Sequence, residues 1–238
     1  IEADGTREMR RYWDVHYGPK HDERQYRYED WKELVHEELK SAVKRRLVAD
    51  VPVGVLLSGG LDSSLIVGLL HEAGQYGLKT FSIGFESVGE ELGHEFDYSD
   101  IIARHFETSH TKIEIDTSRT LTELDSAIRQ MSEPMTSHDC IGFYLLSEEV
   151  SKQVKVVQSG QGADEIFAGY HWYPPMLEGN DPLETYQKAF FDRDREEMGE
   201  MLQQHCITER DLPRDFVAEH FNRAGAERTM GKQFHGAD

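Results

Sequence analysis

The tightest constraint on what this chain can fold into is the block Val53-Gly-Val-Leu-Leu-Ser-Gly-Gly-Leu-Asp-Ser-Ser64. Residues 53–57 form a short apolar run with the composition of a strand buried on both faces, which belongs in a parallel sheet sheltered by helices. Ser58-Gly59-Gly60 breaks the run, and an apolar-periodic segment over 61–73, closed by Gly74, predicts a helix starting directly after the glycines. A strand, a glycine turn and a helix in immediate succession bring the unpaired N–H groups of a first helical turn to the end of the strand. Those groups and the positive end of the helix dipole attract anions, the dipole contributing about 0.3–1 kcal/mol. Ser58, Ser63 and Ser64 add hydroxyl donors. Asp62 does not suit a bare anion site, because it repels phosphate; a carboxylate beside phosphates implies a divalent cation between the two. A Gly-Gly turn can also serve purely steric ends, so the inference rests on the whole block rather than on the glycines. The chain has no GxxxxGK[ST], no GxGxxG after a strand and no GxSxG.

The same alternation runs on. Residues 78–83 predict a second strand, 98–106 a helix, and 110–115 a third strand with alternating faces. Leu121, Leu124, Ile128 and Met131 mark a helix closed near Pro134, 141–150 another, and 154–158 a fourth strand. Upstream, Trp31, Leu34, Val35, Leu39, Ala42, Val43 and Leu47 share one face of a 3.6-residue period, with Asp30 as an N-cap. The fold class that follows is α/β, a parallel sheet with helices on both faces. Residues 1–28 read as a polar, aromatic lead-in, 29–175 as the α/β domain, and 176–238, beyond Pro174-Pro175, as an incomplete helical extension with charged helix formers over 183–204. With Ile rather than Met at position 1, the chain reads as a piece of something longer.

Charge and composition exclude several functions. With 26 Lys and Arg against 45 Asp and Glu, the net charge is −19, so a nucleic acid would be repelled. No apolar run reaches the roughly 18 residues that a membrane-spanning helix needs. Two cysteines, Cys140 and Cys206, cannot build a disulfide framework or a four-thiolate zinc site, and point to a reducing, cytoplasmic setting. The twelve histidines include no zinc motif; His105 and His110 read as unrelated side chains. Trp13, Trp31 and Trp172 read as packing residues, and Tyr170 and Tyr173 are left undecided.

A second constellation follows the fourth strand: Ser159-Gly-Gln-Gly-Ala-Asp-Glu165. Parallel strands present their C-terminal ends on one edge of the sheet, so this loop can face the first across a ligand crevice. Asp164 is then a second magnesium ligand opposite Asp62. Taken alone, a solvated helix start would be the better reading; the pairing with the first motif reverses that.

Together the two motifs resemble the synthetase domain of the glutamine-dependent asparagine synthetase family, itself one of the PP-loop ATP pyrophosphatases. The resemblance is dense over about 30–175 and includes Ser132-Glu-Pro134 and Tyr144-Leu-Leu-Ser147. It implies ATP-dependent amide synthesis: a small carboxylate acceptor is adenylated, pyrophosphate leaves, and ammonia from glutamine displaces AMP. Carried over, Ser58, Gly59, Gly60, Asp62, Ser63 and Ser64 hold the phosphates, Leu56 and Leu57 line the nucleotide pocket, and Ile83 and Gly84 lie beside the adenine. Ser159 and Gly160 lie near the nucleotide and acyl group, Asp62 and Asp164 bind Mg²⁺, and Asp62, Asp164 and Gln161 carry the catalytic centre. Gln161 is a departure, since typical members read Ser-Gly-Glu-Gly. A neutral group there suits an acceptor without a free α-amino group. The order around Ser137-His-Asp139 departs too, and with Val156-Val-Gln-Ser and Tyr170-His-Trp-Tyr-Pro-Pro175 it looks most like the N-acetylglutaminylglutamine amidotransferase branch. The family's glutaminase domain is expected upstream and its catalytic lysine outside this chain; Lys232 matches no such context. A homodimer is left open. The rival class is a non-catalytic ATP- or AMP-binding regulatory or scaffold module.

Overall fold

Four short strands, β1 (Val53–Leu56), β2 (Lys79–Phe85), β3 (Ser109–Ile115) and β4 (Val156–Gln158), form one parallel sheet in the order β3-β2-β1-β4. The structure is a computed structural model that describes residues 4–10, 12–13, 25–85, 96–132, 139–178, 181–191 and 193–231. The chain divides into two compact units, Tyr28–Phe167 and a second built from Ile1–Arg27 with Ala168–Asp238. Each is described by itself. Glu133, Pro134, Ser137, His138 and Lys232 lie outside the described residues.

The first unit holds the sheet. β1 is central, with Val55 in register with Thr80 of β2 on one side and Gln158 of β4 on the other. Side chains alternate across each strand, so the two faces are built from different residues. On one face Val55 and Leu57 pack against α1 (Tyr28–Arg45), α2 (Leu61–Glu72) and α3 (Phe96–His105), through Val43, Val67, Leu69, Leu70 and Ala103. On the other, Leu56, Phe81, Ile83, Ile113 and Ile115 pack against helices that follow β3. These are α4 (Ser118–Thr122), α5 (Leu124–Gln130) and α6 (Asp139–Ser151), with Ala127, Ile141, Leu145, Leu146 and Val150 buried between them and the sheet. The expected α/β architecture with helices on both faces is what the chain forms. Strand order runs outward from β1 to β3 and then jumps to β4 on the far side of β1. That reversal makes a topological switch point, and the crevice beyond the C-terminal ends of β1 and β4 is where such sheets bind ligands.

Several boundaries differ from the sequence expectation. β2 runs on to Phe85, because β3 pairs with it over its whole length, while β1 and β4 are shorter than their apolar runs. Asp30 sits inside the first turn of α1, not at its cap, since the helix already starts at Tyr28. On that helix Val43 is buried and Leu39 packs, but Trp31, Leu34 and Val35 are each 37% exposed. The single helix expected around Leu121–Met131 is split in two at Glu123, which caps both pieces.

In the second unit α8 (Tyr173–Glu178) follows α7 (Ala163–Phe167), the last helix of the first unit. The helix expected over 183–204 is three pieces: α9 (Pro182–Phe190), α10 (Arg195–Met201) and a 3₁₀ turn at Gln204–Cys206. Two local starts explain the break. The Asp181 carboxylate accepts from the N–H groups of Leu183 and Glu184 with Pro182 in the first turn, and Asp194 forms a reciprocal capping box with Glu197. α11 (Leu212–Gly231) follows. Trp172 stacks on Tyr170 at 4.2 Å and meets Phe190 edge-on at 5.8 Å, a packing role, whereas Trp13 is 70% exposed. Among the described residues no helix is long and apolar enough to cross a membrane, and both cysteines are free.

Candidate functional site

β1 ends at Leu56, and the next four residues build a turn that is bonded mainly to itself. The Gly60 N–H donates to Ser58 Oγ (3.3 Å), Ser63 Oγ donates to the Gly60 carbonyl (3.3 Å), and Ser64 Oγ donates to the same carbonyl (2.6 Å). Ser58 and Ser63 hydroxyls are 3.0 Å apart. All three serines expected as phosphate donors therefore bond within the loop, and Ser58 is the exposed one. Gly60 caps α2 without any side-chain acceptor, so it leaves the first-turn N–H groups of a twelve-residue helix uncapped by side chains. A helix start in that state favours an anionic ligand. Asp62, half-buried, sits in that same first turn.

Gly59 has φ +89°, and a Cβ there would lie 2.5 Å from the Ser99 amide nitrogen and 2.6 Å from Tyr98 Cβ. The glycine expected to approach a ligand is thus also the one that lets the loop lie flat on α3. Leu57 is 1% exposed in the core beneath the loop, so it offers a ligand almost no surface; Leu56 faces the opposite side of the sheet, half-buried beside Phe81.

The loop after β4 closes against this one. A Cβ on Gly160 would come within 3.0 Å of both Asp62 Cβ and the Ser63 amide nitrogen, so backbone there rides on the first turn of α2. Ser159 Oγ accepts the Gln161 N–H (3.2 Å), and Gly162 turns the chain at φ +91° into α7, whose first turn carries Asp164. Ser159 is exposed and Asp164 half-buried. The structure thus brings Ser58–Ser64 and Ser159–Asp164 together at the switch point.

Beside them lies an open cavity of about 560 Å³, lined by Ile83, Thr120, Asp139, Ile141, Gly142, Phe143, Leu146 and Gln161. Its size is that of ordinary small-molecule pockets. Two residues expected at the site, Ile83 and Gln161, share it, while Gly84 is buried one position further along β2. Thr120 and Phe143 are additions that sequence reasoning missed, whereas Asp139 belongs to the Ser137-His-Asp139 stretch whose order already stood out as a departure. The only local signal for Phe143 is the helical period of 141–150, and Thr120 lies outside it; that one end of this helix borders Gln161 depends on the crossover from β3 to β4. Among the described residues no group of three or more His, Cys, Asp or Glu side chains forms a metal site. A cation here would rest on one or two carboxylates plus ligand oxygens, which is how Mg²⁺ is usually held beside phosphates.

Residues 34–235 match the Asn_synthase family model, described as asparagine synthase. A putative glutamine-hydrolysing asparagine synthetase 2 of Methanocaldococcus jannaschii is 39% identical over 169 residues, 69% of this chain and 31% of that protein. Glutamine-hydrolysing asparagine synthetase 1 of Bacillus subtilis is 31% identical over 177 residues, 74% of this chain and 27% of that protein. The human enzyme of the same name is 34% identical over 142 residues, 56% and 24% respectively. The chain spans less than a third of the length of these relatives. Among solved structures, a glutamine-dependent NAD⁺ synthetase from Acinetobacter baumannii in complex with ADP aligns over 91% of this chain and 47% of that one, at 14% identity and a TM-score of 0.41. That likeness is too remote to bear on chemistry. The family match extends over well more than half of the 238 residues, across both glycine loops and the cavity wall, and on it the chain belongs to the asparagine synthase family.

Proposed function

We propose that this chain forms the ATP-binding part of an ATP-dependent, amide-forming ligase. A substrate carboxylate attacks the α-phosphorus of ATP, the bond to the β-phosphate breaks, and pyrophosphate leaves. Ammonia, derived from glutamine, then displaces AMP from the acyl group to give the amide. The observation that carries this reading is the seating of Gly160 on the first turn of α2, which sets the two glycine loops side by side at the switch point next to an open cavity. Support comes also from the family and from relatives named as glutamine-hydrolysing asparagine synthetases.

In this reading the uncapped N–H groups at the start of α2, with Ser58, hold the pyrophosphate end. Donors fixed in place before the reaction stabilise charge as it grows on the leaving group, without reorganising. Asp62 and Asp164 would hold Mg²⁺, and the ion would supply charge neutralisation there. Leu56 and Ile83 form the apolar floor on the cavity side of the sheet, for the base. Gln161 faces the same cavity and discriminates the acceptor. A neutral amide at that position suits an acceptor whose amine is acylated, such as an N-acylated glutamine dipeptide, over aspartate with its free ammonium; Asp139 then is the carboxylate of the cavity wall. Two free cysteines suit a reducing, cytoplasmic setting.

The test is pyrophosphate release from ATP–Mg²⁺ with ammonium as nitrogen donor, comparing aspartate with N-acetylglutaminylglutamine. Release with the acylated dipeptide, lost in Asp62→Asn and shifted toward aspartate in Gln161→Glu, is the expected result. Nucleotide binding with no release on any carboxylate would favour the non-catalytic module instead.

A further inference from the structure

The face of β2 and β3 that lies under α3 is polar, unlike the opposite face, where Phe81, Ile83 and Ile113 pack. Thr80 is fully buried and Ser82 is 4% exposed, and both point at His110 of β3. Thr80 Oγ1 lies 2.9 Å from His110 Nδ1 and 2.8 Å from Thr108 Oγ1; Ser82 Oγ lies 3.3 Å from His110 Nε2. The Ser82 hydroxyl also donates to the carbonyl of Leu57, the residue immediately before the Ser58 loop. Leu57 is tied to the same strand through its N–H as well, which donates to the Phe81 carbonyl at 2.8 Å.

For a neutral His110 ring, counting protons sets every direction in this chain. Ser82 has one hydroxyl proton and gives it to Leu57, so its bond to His110 must be donated by Nε2–H. A neutral imidazole with its proton on Nε2 has a bare Nδ1, which accepts from Thr80. Thr80 then has no proton left and accepts from Thr108. We propose that Thr108, Thr80, His110 and Ser82 form a directed hydrogen-bond chain that fixes the Leu57 carbonyl, and through it the Ser58-Gly59 turn. Thr80, Ser82 and His110 are positioning residues for the nucleotide site. They touch no phosphate, and act by holding the peptide from which the loop springs. The function assigned to them rests on the nucleotide reading above; the chain of bonds itself does not.

Burial holds the His110 imidazole below its ordinary value, and Lys112 adds to this, while Asp100 and the main chain of Thr80 oppose it. Asp100 of α3 and Lys112 of β3 are the charged groups acting on His110, and they are paired with each other at 3.0 Å. Protonating Nδ1 would force Thr80 to turn from donor to acceptor there and reverse its bond to Thr108.

The first measurement is the ¹⁵N spectrum of the His110 ring in the intact protein at pH 7. A neutral ring protonated on Nε2 is expected; the Nδ1–H tautomer, or a charged ring, would overturn the chain. The second uses Ser82→Ala, Ser82→Thr and Thr80→Val. Ser82→Ala and Thr80→Val are expected to weaken ATP–Mg²⁺ binding about tenfold, equivalent to about 1.4 kcal/mol, while Ser82→Thr stays within about threefold of the parent. Unchanged affinity in both hydroxyl-deleted proteins, at a temperature where they are folded, would mean a structural role only and sinks the proposal. Should Ser82→Ala not fold, Thr80→Val, which keeps the volume, decides. If the parent protein itself binds no ATP–Mg²⁺, the nucleotide reading falls. Amide exchange at Gly59 and Gly60 then tests the positioning alone: about tenfold faster in Thr80→Val or Ser82→Ala supports it, and no change refutes it.

Discussion

A Cβ at Gly59 would lie 2.5 Å from the Ser99 nitrogen with φ at +89°, whereas one at Gly60 would meet nothing nearer than the Ser58 hydroxyl, at 3.4 Å. The two glycines are adjacent and chemically identical, yet only the first is required by the backbone. Gly59→Ala forces a left-handed conformation on a residue with a side chain and drives a methyl group into the start of α3. The conformation alone costs about 1–3 kcal/mol. Gly60→Ala keeps an ordinary φ of −69°, and stays within about 1 kcal/mol of the parent. Urea denaturation of both variants checks the contrast; equal losses would mean that α3 yields freely to the loop. The serines show the same division of labour. Ser63 and Ser64 were expected from sequence as ligand donors, and the fold spends their protons on the Gly60 carbonyl.

At the scale of elements, the polar seam between α3 and the β2–β3 pair has a consequence for acid stability. His110 is held neutral by burial, with its pKa below the unfolded value near 6.5. Between the folded and unfolded values the unfolded chain binds the extra proton, so stability is full above about pH 6.5 and falls as pH drops below it. Chemical denaturation across pH 5–7.5 is expected to show that loss in the parent and a flatter profile in His110→Gln; parallel profiles would remove His110 as the source. This seam was legible in part. Thr80-Phe81-Ser82-Ile83 alternates polar and apolar, but only the register Thr80↔His110 reveals that the polar positions meet a histidine. Strand and helix order was readable from α1 to β4, because period and glycine punctuation are local. Lengths were not: β2 gains its last residues from pairing with β3, and the helix expected over 183–204 is cut by the Asp194 capping box. The cavity was the least legible feature. Ile83, Phe143 and Gln161 are far apart in sequence, and only the jump of the chain from one sheet edge to the other gathers them.

For the molecule as a whole, the net charge of −19 sets local and long-range fields against each other. In the proposed reading a nucleotide carrying Mg²⁺ still bears negative charge, so it would approach against the summed field and be captured only within the last few ångströms, by the start of α2 and a cation held by the carboxylates. Salt acts differently on the two parts. Raising ionic strength from about 0.01 M to about 0.15 M shortens the Debye length from about 30 Å to about 8 Å, which removes the distant repulsion and leaves short contacts largely intact. Association of ATP–Mg²⁺ is therefore expected to speed up with salt, by a few-fold, the reverse of the salt response of an electrostatically steered pair. The dissociation rate, governed by the contacts at α2, should change less. Stopped-flow binding of a fluorescent ATP analogue at constant free Mg²⁺ separates the two rates. An association rate that falls with salt would show that the field at the mouth of the crevice is positive despite the total, and would locate cations there which the summed charge conceals.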